Sequence, residues 1–88
     1  MPALCTFYGI IIYMYKEVGG KHNIPHIHVE CGDDEAVFDF EGNIIEGRLN
    51  KSKQKLVEAW IEIHKEEIEA NWTLLSRGEQ VFKIEPLK

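Results

Sequence analysis

Residues 26–40 read His26-Ile27-His28-Val29-Glu30-Cys31-Gly32-Asp33-Asp34-Glu35-Ala36-Val37-Phe38-Asp39-Phe40. Two runs alternate apolar and polar side chains around an acidic, glycine-containing break. That period of two predicts a β-hairpin with strands over 26–31 and 35–40. Neighbouring side chains on a strand point to opposite faces, so Ile27, Val29 and Cys31 share one side and His26, His28 and Glu30 the other. The second run divides the same way, with Ala36, Phe38 and Phe40 on its dry side. Both dry sides must face one core, because a one-residue slip would turn a whole strand inside out. A loop centred on Asp33 and Asp34 sets Val29 opposite Phe38, Ile27 opposite Phe40 and His28 opposite Asp39. Every allowed register keeps Asp39 and Val37 on the histidine face. Directly opposed side chains have Cβ atoms roughly 5 Å apart, so a His28–Asp39 contact is expected.

Upstream, Phe7-Tyr8-Gly9-Ile10-Ile11-Ile12-Tyr13-Met14-Tyr15 is β-branched and aromatic with almost no polar relief. This is the pattern of a strand covered on both sides in the middle of a sheet. Gly19 and Gly20 end it, and residues 21–25 form a loop in which Pro25 holds Ile24 extended and His22 is a loop residue. Downstream, Glu41-Gly42-Asn43 turns the chain, and residues 44–46 make a short fourth strand before Gly47. Asn50 fits a helix N-cap. Leu56, Trp60, His64, Ile68 and Trp72 then recur every four residues, and Gly78 supplies a left-handed stop. One helix over 51–77 would reach about 40 Å, longer than a four-stranded sheet needs, so a break near 64–66 giving two helices is the alternative. Residues 81–88 alternate briefly and are a candidate edge strand. The expected architecture is α+β: an antiparallel sheet of three to five strands, β-β-β-β-α with a C-terminal edge strand as an addition, packed on one long helix or a helix pair. One domain is expected over 1–88.

At 88 residues, folding buries only about 60–65% of the surface of the unfolded chain, so the core must be economical. Apolar residues make up 44% and charged residues 28%, which excludes a disordered, collagen-like or disulfide-dense chain. A formal charge of −5 disfavours a general nucleic-acid binder. Arg48, Lys51, Lys53 and Lys55 gather four of the ten cations. They read as a solvated helix start, with an anion-facing patch as the alternative, since cations in a first helical turn oppose the macrodipole by roughly 0.3–1 kcal/mol each. Two cysteines without paired spacing predict free thiols and a cytoplasmic protein. Cys31 should point inward and Cys5 be the more accessible. No membrane partner is expected, because the apolar run over 7–15 falls well short of the ~20 residues a spanning helix needs.

The face of His26, His28, Glu30, Val37 and Asp39 suits three kinds of chemistry. His26, His28 and Asp39, with His22 or Glu30 as substitutes, form a two-histidine, one-carboxylate set fit for a divalent metal such as iron, zinc or manganese. The same residues suit metal-free, ribonuclease-type cleavage. There His26 and His28 would be acid and base, Lys21 would meet the developing phosphate charge and Asp39 would fix a tautomer. The acidic balance supplies no electrostatic funnel for that substrate. A binding module accounts for more of the sequence. With helices on one side only, Val37 and the second side of the 7–15 run form apolar area for a homodimer or another partner to cover. Its candidate contacts are His22, Asn23, Glu30 and Val37, with Arg48 and Lys51 at the helix start. A structural His28–Asp39 pair stitching two strands is the simplest alternative. His64, alone in an apolar helical stripe, reads as a core residue bonded to the sheet. Trp60 and Trp72 read as core or interface anchors.

Phe7-Tyr8-Gly9-Ile10, Pro25-His26-Ile27-His28-Val29, Glu35-Ala36-Val37-Phe38-Asp39, Ile45-Glu46-Gly47, Trp60, His64, Asn71-Trp72 and Lys83-Ile84-Glu85-Pro86-Leu87 together resemble a small bacterial family, domain of unknown function 4160. The resemblance spans essentially the whole chain. It implies no established activity. Members often resemble one half of a two-gene cassette similar to toxin–antitoxin pairs, which implies a small neighbour-encoded partner protein. The family's loop-and-strand motif maps onto His22, Asn23, Pro25, His26 and His28. The chain departs from it at Ile24, where relatives often carry a second proline, and its acidity weakens any nucleic-acid role.

Overall fold

Glycines and one tyrosine set where the chain reverses, and these reversals make five strands rather than four. The computed structural model describes residues 3–15 and 24–87. Strands β1 (Ala3–Phe7), β2 (Ile10–Tyr13), β3 (His26–Cys31), β4 (Asp34–Asp39) and β5 (Ile44–Gly47) precede helices α1 (Lys51–Ile63) and α2 (Lys65–Ser76). All neighbouring strands are antiparallel, and the sheet order β1-β2-β3-β4-β5 repeats the chain order. This is the expected α+β arrangement.

The apolar run over 7–15 is not one central strand. Tyr8 and Gly9 both have positive φ, 48° and 78°, the geometry of a two-residue hairpin turn whose twist matches its flanking strands. β1 therefore folds back on β2, with Phe7 opposite Ile10 and Cys5 opposite Ile12. Between β3 and β4 the turn is Gly32-Asp33, with φ of +60° at Gly32. Glycine takes this left-handed conformation without a Cβ clash, which draws the turn one residue earlier than the acidic pair suggests. The register moves accordingly: His26 lies opposite Asp39, Ile27 opposite Phe38 and His28 opposite Val37. Parity is unchanged, so the two faces are those the alternation demands.

On the dry face Ile10, Ile12, Ile27, Val29 and Phe38 are essentially inaccessible and pack with Val57, Trp60, Ile61 and Ile68 from the helices. Each such side chain contributes about 1.5–3 kcal/mol of transfer free energy. Phe7 stacks on Trp60 with ring centroids 6.2 Å apart. Gly47 ends β5 where the chain crosses β4. A Cβ there would run into the Glu35 carbonyl and sit 3.0 Å from Ala36 Cα, and its φ is +77°.

Asn50 caps α1 as expected, its Oδ1 accepting from the Ser52 N–H at 2.8 Å. Lys53 Nζ donates to the Tyr8 carbonyl at 2.7 Å, so one cation of the basic cluster ties the helix start to the first hairpin. The helical stripe does break in two. His64, at φ −109° and ψ 22°, closes α1 and opens α2, and its Nδ1 lies 2.6 Å from Glu67 Oε1. It bonds along its own helix rather than to the sheet. Among the described residues no helix is long and apolar enough to cross a membrane.

Among the described residues the tail adds no strand to the sheet, correcting the edge-strand expectation for 81–88. Side chains hold it instead. Fully buried Asn71 donates to the Phe82 carbonyl at 2.8 Å and accepts from the Phe82 N–H at 3.0 Å. Trp60 Nε1 donates to the Glu85 carbonyl at 2.8 Å. The Ile84 N–H donates to the Leu4 carbonyl at 3.0 Å, the tail's backbone link to β1. Cys5, expected to be the accessible thiol, is buried under this arrangement, and burial pushes its pKa up to about 12. Cys31 is the more exposed of the two.

Candidate functional site

Cross-strand register arranges the histidine face as rows. One row runs Tyr13, His28, Val37, Glu46 across β2 to β5. A second runs Thr6, Ile11, Glu30, Glu35 across β1 to β4. His26 and Asp39 oppose each other in the third. Ile10, Ile12 and Met14 belong to the dry side, so the second side of the early apolar run is Ile11, Tyr13 and Tyr15, each half-buried. Val37 is not open apolar area: it is buried at 6% exposure.

His26 is 2% exposed. Pro25 holds the chain extended ahead of it, and the ring Nδ1 lies 2.7 Å from the Ile24 carbonyl oxygen. A carbonyl only accepts, so Nδ1 carries the proton and, in the neutral ring, Nε2 carries the lone pair. Around this ring runs a chain of aromatic contacts. His28 meets it edge-on at 5.1 Å between centroids, and Trp72 lies at 5.3 Å. Trp72 also meets Phe40 edge-on at 5.9 Å, so one α2 side chain touches rings from both faces at this end of the sheet. Tyr15 stacks on His28 at 4.2 Å and 18°, with its hydroxyl 3.1 Å from His28 Nδ1.

Asp39 shares the face with both histidines, but its carboxylate serves the β4–β5 turn. Oδ1 accepts from the Glu41 and Asn43 N–H groups, each at 2.9 Å, and Oδ2 accepts from Asn43 Nδ2 at 3.2 Å. Partial burial alone would raise its pKa. Hydrogen bonds from Asn43, Glu41 and Gly42 outweigh that and hold the group below the ordinary carboxylate value. Aspartate favours such local backbone bonds in turns. Among the described residues no group of three or more histidine, cysteine or acidic side chains is placed to hold a metal ion.

Glu30 is half-buried beside Ile11 and faces exposed Glu35. Arg48 and Lys51 are exposed where β5 leads into α1, and the Arg48 N–H donates to the Glu35 carbonyl. The Arg48 backbone thus lies beside Glu35 at the end of the acidic row. Lys21, His22 and Asn23 fall outside the described residues. The sequence reading passed over Tyr13 and Tyr15 as site residues. The signal for them was the alternation Ile11, Tyr13, Tyr15, concealed inside an apolar run.

The family described as domain of unknown function (DUF4160) matches residues 9–73. The chain belongs to that family. No curated protein and no solved structure matches it. The DUF4160 match takes in the whole aromatic chain from Tyr15 to Trp72 and all three rows of the face from Ile11 onward. All of β1 and the tail lie outside it. The family description assigns no activity, so function has to be argued from the geometry of the face.

Proposed function

We propose that this DUF4160 chain is a protein-interaction module that docks a second protein chain on the histidine face of its sheet. That chain is another copy or a small neighbour-encoded protein in a cytoplasmic, toxin–antitoxin-like pair. The observation that carries the reading is the half-buried set Ile11, Tyr13, Tyr15 and His28, on the face away from the core that α1 and α2 form. Rigid aromatic side chains at the centre of a patch with carboxylates at its border are the composition of an interface core and rim. Tyr15 is held on His28, so little side-chain freedom is left to lose on binding.

A second reading, a ligand site or a histidine-dependent enzyme of ribonuclease or divalent-metal type, is favoured by the Ile24 carbonyl bond that orients His26. Its residues are His26, His28 and Asp39, with Lys21. Two facts place it second: the His26 ring is 2% exposed, and the Asp39 oxygens are engaged by the turn. RNA cleavage abolished by His28→Ala, or stoichiometric metal in the dialysed protein, would promote it.

Light scattering on size-separated protein, alone and mixed with the product of the adjacent gene, tests the leading reading. The expected result is a dimer or a one-to-one complex. Tyr13→Ala should weaken it about 30-fold, the effect of losing one buried aromatic anchor, with the thermal midpoint as a folding control. A strictly monomeric chain that forms no complex overturns the proposal.

A further inference from the structure

Resting on the docking face proposed above, we infer that its occupant is a different protein chain presenting arginine, whose guanidinium groups meet Glu30 and Glu35 and stack against Tyr13. Glu30 and Glu35 are directly opposed across β3 and β4 on one face. Like charges opposed in this way destabilise a sheet. Neither carboxylate has a hydrogen bond or ion pair among the described residues. Two residues further along β2 and β3, the neighbouring row on the same face holds Tyr13 opposite His28, and Tyr13 brings an aromatic ring beside the carboxylates. Aromatic faces attract cations, and a guanidinium can lie flat on a ring while its edge makes paired bonds to a carboxylate. Lysine, a compact and strongly hydrated charge, does only the second.

The same residues decide against a second copy as occupant. None of the five strands contains a lysine or an arginine. A face-to-face homodimer would therefore bring carboxylates to carboxylates between chains that each carry −5. Nucleic acid is disfavoured by the same charges. The other acidic surface, around Glu62, Glu66, Glu67 and Glu69 at the α1–α2 junction, lines an open hollow with Ile63 and Lys65 and without an aromatic ring. It is the internal competitor for a cationic partner.

The test uses the full chain, isotope-labelled for amide NMR, titrated with the peptide acetyl-Val-Arg-Val-Arg-Val-amide and with its neutral citrulline counterpart. The arginine peptide should shift the amides of Ile11, Tyr13, His28, Glu30 and Glu35. Affinity should fall about tenfold in the Glu30→Gln, Glu35→Gln double variant, the combined effect of two partly exposed ion pairs. The citrulline peptide should leave the spectrum unchanged. Shifts centred on the α1–α2 junction, an unaltered affinity in the double variant, or no shifts at all would each overturn the inference. Equal binding of the citrulline peptide on the histidine face overturns the arginine requirement and leaves the docking face standing. Failure of the docking face itself is read separately, in the complex with the neighbouring gene product.

Discussion

Replacing Asn71 with leucine should release the C-terminal tail. The side chain is fully buried, and its amide makes a reciprocal pair with one residue, donating to the Phe82 carbonyl at 2.8 Å and accepting from the Phe82 N–H at 3.0 Å. Leucine has nearly the same volume, so packing changes little and the polar loss is isolated. Each intact bond is worth about 0.5–1.5 kcal/mol net, and a buried backbone group left unpaired costs about 1–3 kcal/mol. Phe82 is 42% exposed, so water can re-solvate part of what is freed. That places the expected loss near 2–3 kcal/mol, toward the lower end of the sum. For a chain of this size that is a fall of about 10–20 °C in Tm. Thermal unfolding followed by circular dichroism measures it, and amide exchange at Phe82 and Ile84 should quicken. Asn71→Asp is the discriminating companion: at neutral pH it keeps an acceptor for the Phe82 N–H and sets an oxygen against the Phe82 carbonyl. It should be destabilised at pH 7 and recover relative to wild type once acid protonates the carboxyl. A loss below about 0.5 kcal/mol in Asn71→Leu, within the scatter of surface substitutions, would refute the reasoning.

Asp39 has a folded pKa below its unfolded value, so its charge adds stability that is present above about pH 4 and disappears as the pH falls through the folded pKa. Asp39→Asn should therefore be less stable than wild type at pH 6 and converge with it as the pH drops toward 2, checked by denaturant unfolding at a series of pH values. Thiol labelling of native protein should modify Cys31 well before Cys5, whose pKa is held at about 12 by burial, with both equal in denaturant. Faster labelling of Cys5 in the native state would count against the packing of β1. Gly47→Ala should cost more than about 1 kcal/mol, since the added Cβ meets the Glu35 carbonyl at a positive φ.

The hairpin of β3 and β4 was legible because two opposite alternations leave one way to bury both dry sides. Its parity survived even though the pairing slid by two residues. The slide came from turn chemistry: a glycine at the first turn position outweighs an acidic pair, which alternation alone does not report. The first hairpin was concealed because an unbroken apolar run carries no period, and tyrosine is an unexpected residue at φ 48°. Asp39 was placed correctly on its face but not in its role, since two backbone N–H groups in the next turn compete for the carboxylate more closely than a cross-strand imidazole. In the sequence Asn71 stands out only as part of the Asn71-Trp72 motif. Its importance depends on where the tail returns, a contact eleven residues away that no local pattern encodes.

A sheet whose spatial order is its chain order assembles by adding each strand to the one just made, with three of the four strand connections only two to four residues long, until the tail returns to Leu4. Local closures of this kind favour fast folding. During synthesis, then, the meander can form while α2 is still emerging, but the latch waits until Phe82 and Ile84 have been made. Through that interval the Leu4 carbonyl at the sheet's first edge stands unlatched. A chain cut just before residue 82 would keep a nearly complete sheet with a sticky margin, so the segment around Phe82 and Ile84 acts as a seal on the sheet's first edge.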